Sequence, residues 1–118
     1  MITPLSETDV HVLFQEDGEV FLFDKEENKD LWRIAFHGNV TVGFLGLVND
    51  WGLVGGDRLL LWKNNELKFI DDPELVGICD IREVEDDVVE IDTHPPGENP
   101  VTFRFNIETE KKERISKD

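Results

Sequence analysis

Residues 10–23 read VHVLFQEDGEVFLF, and their reading decides the fold. Two apolar runs flank Asp17-Gly18, a pair that supplies the positive φ values of a tight type I′ turn. A two-residue loop there faces Phe14 with Phe21, Leu13 with Leu22 and Val12 with Phe23. It also sets His11 opposite Asp24, giving the histidine a structural partner. The period is two, the period of a β-strand.

The same logic extends outward along the chain. In LLLWKNNELKFI (59–70) Asn64-Asn65 is the turn, so that Trp62 faces Leu67, Leu60 faces Phe69 and Lys63 meets Glu66. Both faces of that hairpin are apolar near its base, which predicts a central position. LWRIAFHGNVTVGFLGLV (31–48) reads as two strands around His37-Gly38-Asn39, and VTFRFNI (101–107) alternates cleanly, with Val101, Phe103, Phe105 and Ile107 inward. Turn residues recur at short intervals, and no segment sustains a helical period. The expectation is an all-β antiparallel meander of about nine strands, forming a small β-sandwich or a partly open barrel with little helix. Residues 1–108 form its single domain, and 109–118 are a polar, frayed tail. SETD (6–9) suits at most one capped helical turn. WGLVGGDRLLLWKNNELKF (51–69) has the texture of a propeller blade, but 118 residues are too few to close a ring of four-stranded blades.

Composition bounds the function. The 39% hydrophobic content, with eight Phe and three Trp, argues for a packed core rather than disorder. Twelve basic residues against 27 acidic ones leave a net charge of −15. The acids are concentrated: residues 71–92 hold ten and a single Arg, whereas 31–70 are close to neutral. Such a field repels phosphate, so direct partnership with nucleic acid or an anionic membrane is disfavoured. MITPLSETDVHV has no signal-peptide pattern and no run has the length of a membrane span, so a cytoplasmic location is expected.

Catalytic patterns are missing. His11, His37 and His94 are spaced for neither zinc nor a catalytic dyad, and one cysteine makes no metal signature. Cys79, in VGICDI, reads as a small core residue. LVGGDR lacks the lysine of a phosphate loop, and its glycines suit a tight turn. No enzyme activity, cofactor or metal is expected.

What remains is IREVEDDVVEID (81–92). With Asp86-Asp87 as a two-residue turn, Val84 pairs with Val89, Glu83 with Glu90 and Ile81 with Asp92. Val84, Val89 and Ile91 then face the core, which sends Glu83, Glu85, Glu90 and Asp92 outward together. Like charges facing across a strand pair repel. A cationic partner would relieve that repulsion, and reversing Glu83, Glu85 and Glu90 would leave the fold intact or stabilise it. Calcium on this face is the minor alternative, and protection of an edge strand by charge the plain one. Asp71 and Asp72 extend the acidic block. Trp51, in NDWG, is either an interface residue or a lid on one end of the sheets.

The segment WGLVGGDRLLLW (51–62), together with the acidity, resembles immunity proteins of bacterial contact-dependent inhibition and other polymorphic toxin systems. The resemblance implies neutralisation of a basic toxin, such as a nuclease, by covering its active site; it carries over no individual residue. The contact set read from charge is Glu83, Glu85, Asp86, Asp87, Glu90, Asp92, Asp71 and Asp72, with Trp51. The free protein would be a monomer or dimer. The alternative is a structural or assembly module, as in a phage or multi-subunit scaffold, that pairs through its sheet edges.

Overall fold

The computed structural model describes residues 1–47 and 50–115. Among the described residues, twelve strands form three four-stranded antiparallel sheets, each made of consecutive strands in an up-and-down meander. The first sheet holds β1 (Ile2–Glu7), β2 (His11–Glu16), β3 (Glu19–Asp24) and β4 (Lys29–Ala35). The second holds β5 (Val40–Leu45), β6 (Trp51–Gly56), β7 (Leu59–Lys63) and β8 (Glu66–Ile70). The third holds β9 (Ile78–Glu85), β10 (Val88–Thr93), β11 (Val101–Asn106) and β12 (Lys112–Arg114). The all-β class and the antiparallel meander are as expected; the strand count is twelve, and each sheet has the connectivity of a propeller blade.

The three strands beyond the expected nine have separate reasons. β1 contains Pro4 and a bulge between Pro4 and Ser6, so its alternation is broken, and SETD forms no helical turn. β6 is rich in glycine and reads as a loop. β12 is too short and polar to show a pattern, yet it pairs with β11 from within the expected tail.

The middle sheet is buried on both faces. Leu53, Leu59 and Leu61 pack with Ile78, Ile91 and Phe105 of the third sheet. The alternate residues Val54, Leu60 and Trp62 pack with Leu13, Val20 and Leu22 of the first. Strict alternation along β6 and β7 divides one hairpin between two cores. The sheets converge where β5 touches both β1 and β9, and glycine allows the approach. A Cβ on Gly43 would sit 2.7 Å from Leu5 Cβ, and one on Gly55 would sit 2.6 Å from Ile78 Cγ2. The glycines of LVGGDR therefore lie within a strand at the layer contact, not in a turn.

The outer faces differ. On the first sheet Phe14 stacks on Phe21 at 5.1 Å, and the Arg33 guanidinium lies 4.0 Å over the Phe21 ring. Arg33 is held there by Glu16, Glu19 and Asp30. The outer face of the third sheet is charged.

Candidate protein-binding cleft

The turn at Asp86-Asp87 forms as expected, with Asp87 at φ 64°, but the register beyond it does not. Val88 pairs with Glu85 and Val89 with Glu83, so Val84 bulges out and is 41% exposed. The extra residue shifts every later pair. Glu90 faces Arg82 instead of Glu83, Ile91 faces Ile81, and Asp92 faces Asp80.

The expected four-carboxylate face is thereby divided. Glu90 and Asp92 stay on the outer face, but Arg82 lies between them, 2.8 Å from an oxygen of each. Arg82 also reaches Asp80 at 3.4 Å, and Arg104 approaches Glu90 at 3.5 Å. Thr102 Oγ1 donates to Asp92 at 2.7 Å. Glu83 turns to the opposite side, where it accepts the Asp87 backbone N–H at 3.2 Å. Glu85 and Asp86 are exposed. Reversing Glu90 would therefore break two cationic contacts rather than relieve repulsion. Asp71 and Asp72 line a separate depression beside His37, Asp57 and Arg58. Asp71 lies 3.7 Å from Arg58, and Asp72 pairs with Lys112 at 3.1 Å. Cys79 is exposed, its Sγ donating to the Asp92 carbonyl at 3.4 Å, and is not a core residue.

Hydrogen bonding to Arg82, assisted by Thr102, holds the Asp92 carboxyl below its ordinary value against the opposing effect of burial. A depressed folded-state pKa adds stability that is present above the unfolded pKa and is lost as pH falls through the folded one. Arg82 is 42% exposed, so each contact has the weight of a surface pair. Arg82→Met is expected to lower stability at pH 7 by about 1 kcal/mol. The difference from the wild type should shrink as the pH falls below the ordinary aspartate range and Asp92 protonates. Urea midpoints at neutral and acid pH measure both quantities, and an equal loss at the two would contradict the pairing.

A second acidic region, not anticipated from the sequence, lies at the ends of the strands. The start of β2, the end of β3, the start of β6, the end of β7 and the Asp86-Asp87 turn meet around a cavity of about 620 Å³. A neighbouring cavity of about 480 Å³ shares His11, Asp50, Trp51 and Trp62 with it, and the two make one cleft. Trp51 is 2% exposed and donates its indole N–H to Asp87 at 2.9 Å, so it is the lid of the two readings rather than a projecting contact. The bond explains why Asp87 turns inward while Asp86 does not. His11 stands edge-on to Trp62 at 5.3 Å. It pairs in register with Asp24, as expected, with Nε2 4.0 Å from Asp24 Oδ2. Asp24 Oδ1 accepts the Glu26 and Glu27 backbone N–H groups at 2.9 and 3.0 Å, which fixes the carboxylate toward the histidine.

The charge of the cleft is one-sided. Glu7, Asp9, Asp24, Asp50, Asp87 and Glu108 line its two parts, and Lys63 is the one lysine or arginine among the described lining residues. Lys63 is committed elsewhere. It donates to the Ile107 and Glu108 carbonyls at 2.8 and 2.9 Å and pairs with Glu110 at 2.9 Å. Its cross-strand register with Glu66 is as expected, but its ion pair is made with Glu110. Among the described residues no group of three or more His, Cys, Asp or Glu side chains is arranged to hold a metal ion. No described helix is long and apolar enough to cross a membrane. No protein-family model matches the chain, and no curated protein matches it.

Proposed function

We propose that this chain is a non-catalytic, cytoplasmic binding module that neutralises a basic protein, as an immunity protein covers the active site of a toxin. The partner meets the strand-end cleft and the exposed acids beside it, Glu85 and Asp86, rather than the outer face of β9 and β10. One observation carries this reading: the six carboxylates that line the cleft have among the described lining residues one lysine, already spent on backbone carbonyls and Glu110, and Lys25 outside the lining offsets Glu7, so the acids outnumber the cations around them. The Glu90–Asp92 ladder, by contrast, is neutralised by Arg82 and Arg104. An under-compensated negative surface steers a cationic macromolecule and gains when that partner supplies the missing charge.

The sheet edges favour this reading over assembly by edge pairing. β1 carries Pro4 and a bulge, β4 a bulge near Leu22–Phe23, β8 the charged Glu66 and Lys68, and β12 spans three residues. Prolines, bulges, charge and short length are the ordinary means of blocking edge-to-edge association. Calorimetry against the product of the gene immediately upstream tests the proposal. Binding is expected, weakening on the order of tenfold between low and high salt as the cleft's field is screened. The lack of any binding, with no rescue of growth when the two are co-expressed, would end it.

A further inference from the structure

His11 is 7% exposed, lines both parts of the cleft, and its ring makes no hydrogen bond among the described residues. The closest charged oxygen, Asp24 Oδ2, is 4.0 Å from Nε2, which is too far for a direct bond. The imidazole is mostly buried but its nitrogens open on the cavity rather than being sealed in the core, so a ligand there can supply the hydrogen bond that the chain does not. Here both the imidazole nitrogen and the carboxylate face a cavity, and the gap between them suits an inserted donor.

We infer that the cleft is a socket for a guanidinium group, the side chain of an arginine on the basic partner; the source of the group, though not the group itself, rests on the function proposed above. Three features select this chemistry. The charged groups that line the cleft with His11 are Asp24 from the first sheet, Asp50 at the entry to β6, Asp87 and Glu108 from the third-sheet side, and Glu7 and Asp9 in its second part, with Lys63 bound to backbone carbonyls and Lys25 paired with Glu7. The site therefore calls for a cation. Its carboxylates stand on different layers, and a planar fork of five N–H donors spans acceptors farther apart than the three donors of a compact ammonium do. The largely buried Trp51 and Trp62 border the cleft and limit the water in it, which costs a weakly hydrated guanidinium less than a strongly hydrated ammonium.

The test uses the intact protein and a small probe, Nα-acetyl-arginine amide, with its lysine counterpart as the second arm. The chain has three tryptophans, of which Trp51 and Trp62 line the cleft and Trp32 does not. Indole N–H resonances of Trp51 and Trp62 are expected to shift saturably with the arginine probe at about millimolar concentration, while that of Trp32 stays still. The lysine probe should bind several-fold more weakly. Asp24→Asn, which keeps the size of the side chain and can keep its turn hydrogen bonds, should weaken the arginine response at least about threefold, and Asp92→Asn should not change it. No saturable shift, equal movement of all three indoles, or equal binding of lysine would overturn the inference. Two mixed results separate it from the wider proposal. A response to arginine without binding of the upstream product keeps the socket and removes the protein as the source of the group. Binding of that product by a protein indifferent to arginine removes the socket and keeps the partner.

Discussion

Trp51→Ala is expected to lower the unfolding free energy by about 3–5 kcal/mol, the range for truncating a fully buried large aromatic. The indole is 2% exposed, packs within the core between the second and third sheets, and stacks on Phe44 at 5.8 Å. It also lies over the Gly46 backbone, close enough that a Cβ there would be 2.3 Å from the ring. Truncation would remove these contacts, open a void and take from Asp87 the indole N–H that it accepts at 2.9 Å. Trp51→Phe keeps most of the packing and loses the hydrogen bond, so about 1–2 kcal/mol is expected. Chemical denaturation of the three proteins distinguishes this role from that of an interface residue. A hot spot would lose binding at unchanged stability, and a loss under 1 kcal/mol for the alanine variant would contradict the core assignment.

Gly56→Ala is the second large effect, and its cause lies in the main chain. A Cβ on Gly56 would be 2.0 Å from the Asn39 carbonyl oxygen, 2.9 Å from its carbon and 3.1 Å from the Thr41 nitrogen. All three are backbone atoms of β5 or of the residue that leads into it, so no rotamer change relieves the overlap. The β5–β6 ladder shifts register between Val40 and Val42, and this bulge brings the chains together opposite Gly56. Relief requires the start of β5 to part from the end of β6, where the Asp57 N–H donates to the same Asn39 carbonyl at 3.0 Å. A cost of about 3 kcal/mol or more is expected, a fall in melting temperature of roughly 10 °C or more for a domain of this size. Gly97→Ala is the matched control. Its added Cβ meets nothing within 4 Å, and only its φ of +77° opposes alanine, so about 1 kcal/mol is expected. Equal effects at the two positions would contradict the backbone clash.

Where a tight turn sits between alternating runs, the fold was legible. Asp17-Gly18 and Asn64-Asn65 set registers that the structure reproduces residue for residue, from Phe14 opposite Phe21 to Trp62 opposite Leu67. The apolar character of both faces of β7 correctly predicts the central layer. At Asp86-Asp87 the turn was legible and the ladder was not, because Glu83-Val84-Glu85 alternates equally well with or without an extra residue. The signal that could have exposed the bulge is Arg82, the lone cation in that acidic run: opposite Glu90 it neutralises the ladder, while opposite Ile91, where the regular register puts it, it has no partner. β6 was hidden for a different reason. Glycines that read as a turn are there because Ile78 and Asn39 leave no room for a side chain. The pairing of His11 with Asp24 followed from one hairpin, but the cleft needs Trp51, Trp62 and Asp87 beside it. That meeting depends on how three sheets stack, a non-local fact that local alternation does not encode.

The claim that the strand-end cleft, and not the outer face of β9 and β10, receives the cationic partner is tested most directly by charge reversal at two exposed acids. Calorimetry with the upstream gene product would compare Asp50→Lys, which lines the cleft, with Glu113→Lys on β12, whose strand lies at the far edge of the third sheet. The expected result is a dissociation constant raised at least about tenfold, roughly 1.4 kcal/mol, for Asp50→Lys, and changed by less than about threefold for Glu113→Lys. Undiminished binding by Asp50→Lys, or the larger loss falling on Glu113→Lys, would contradict it.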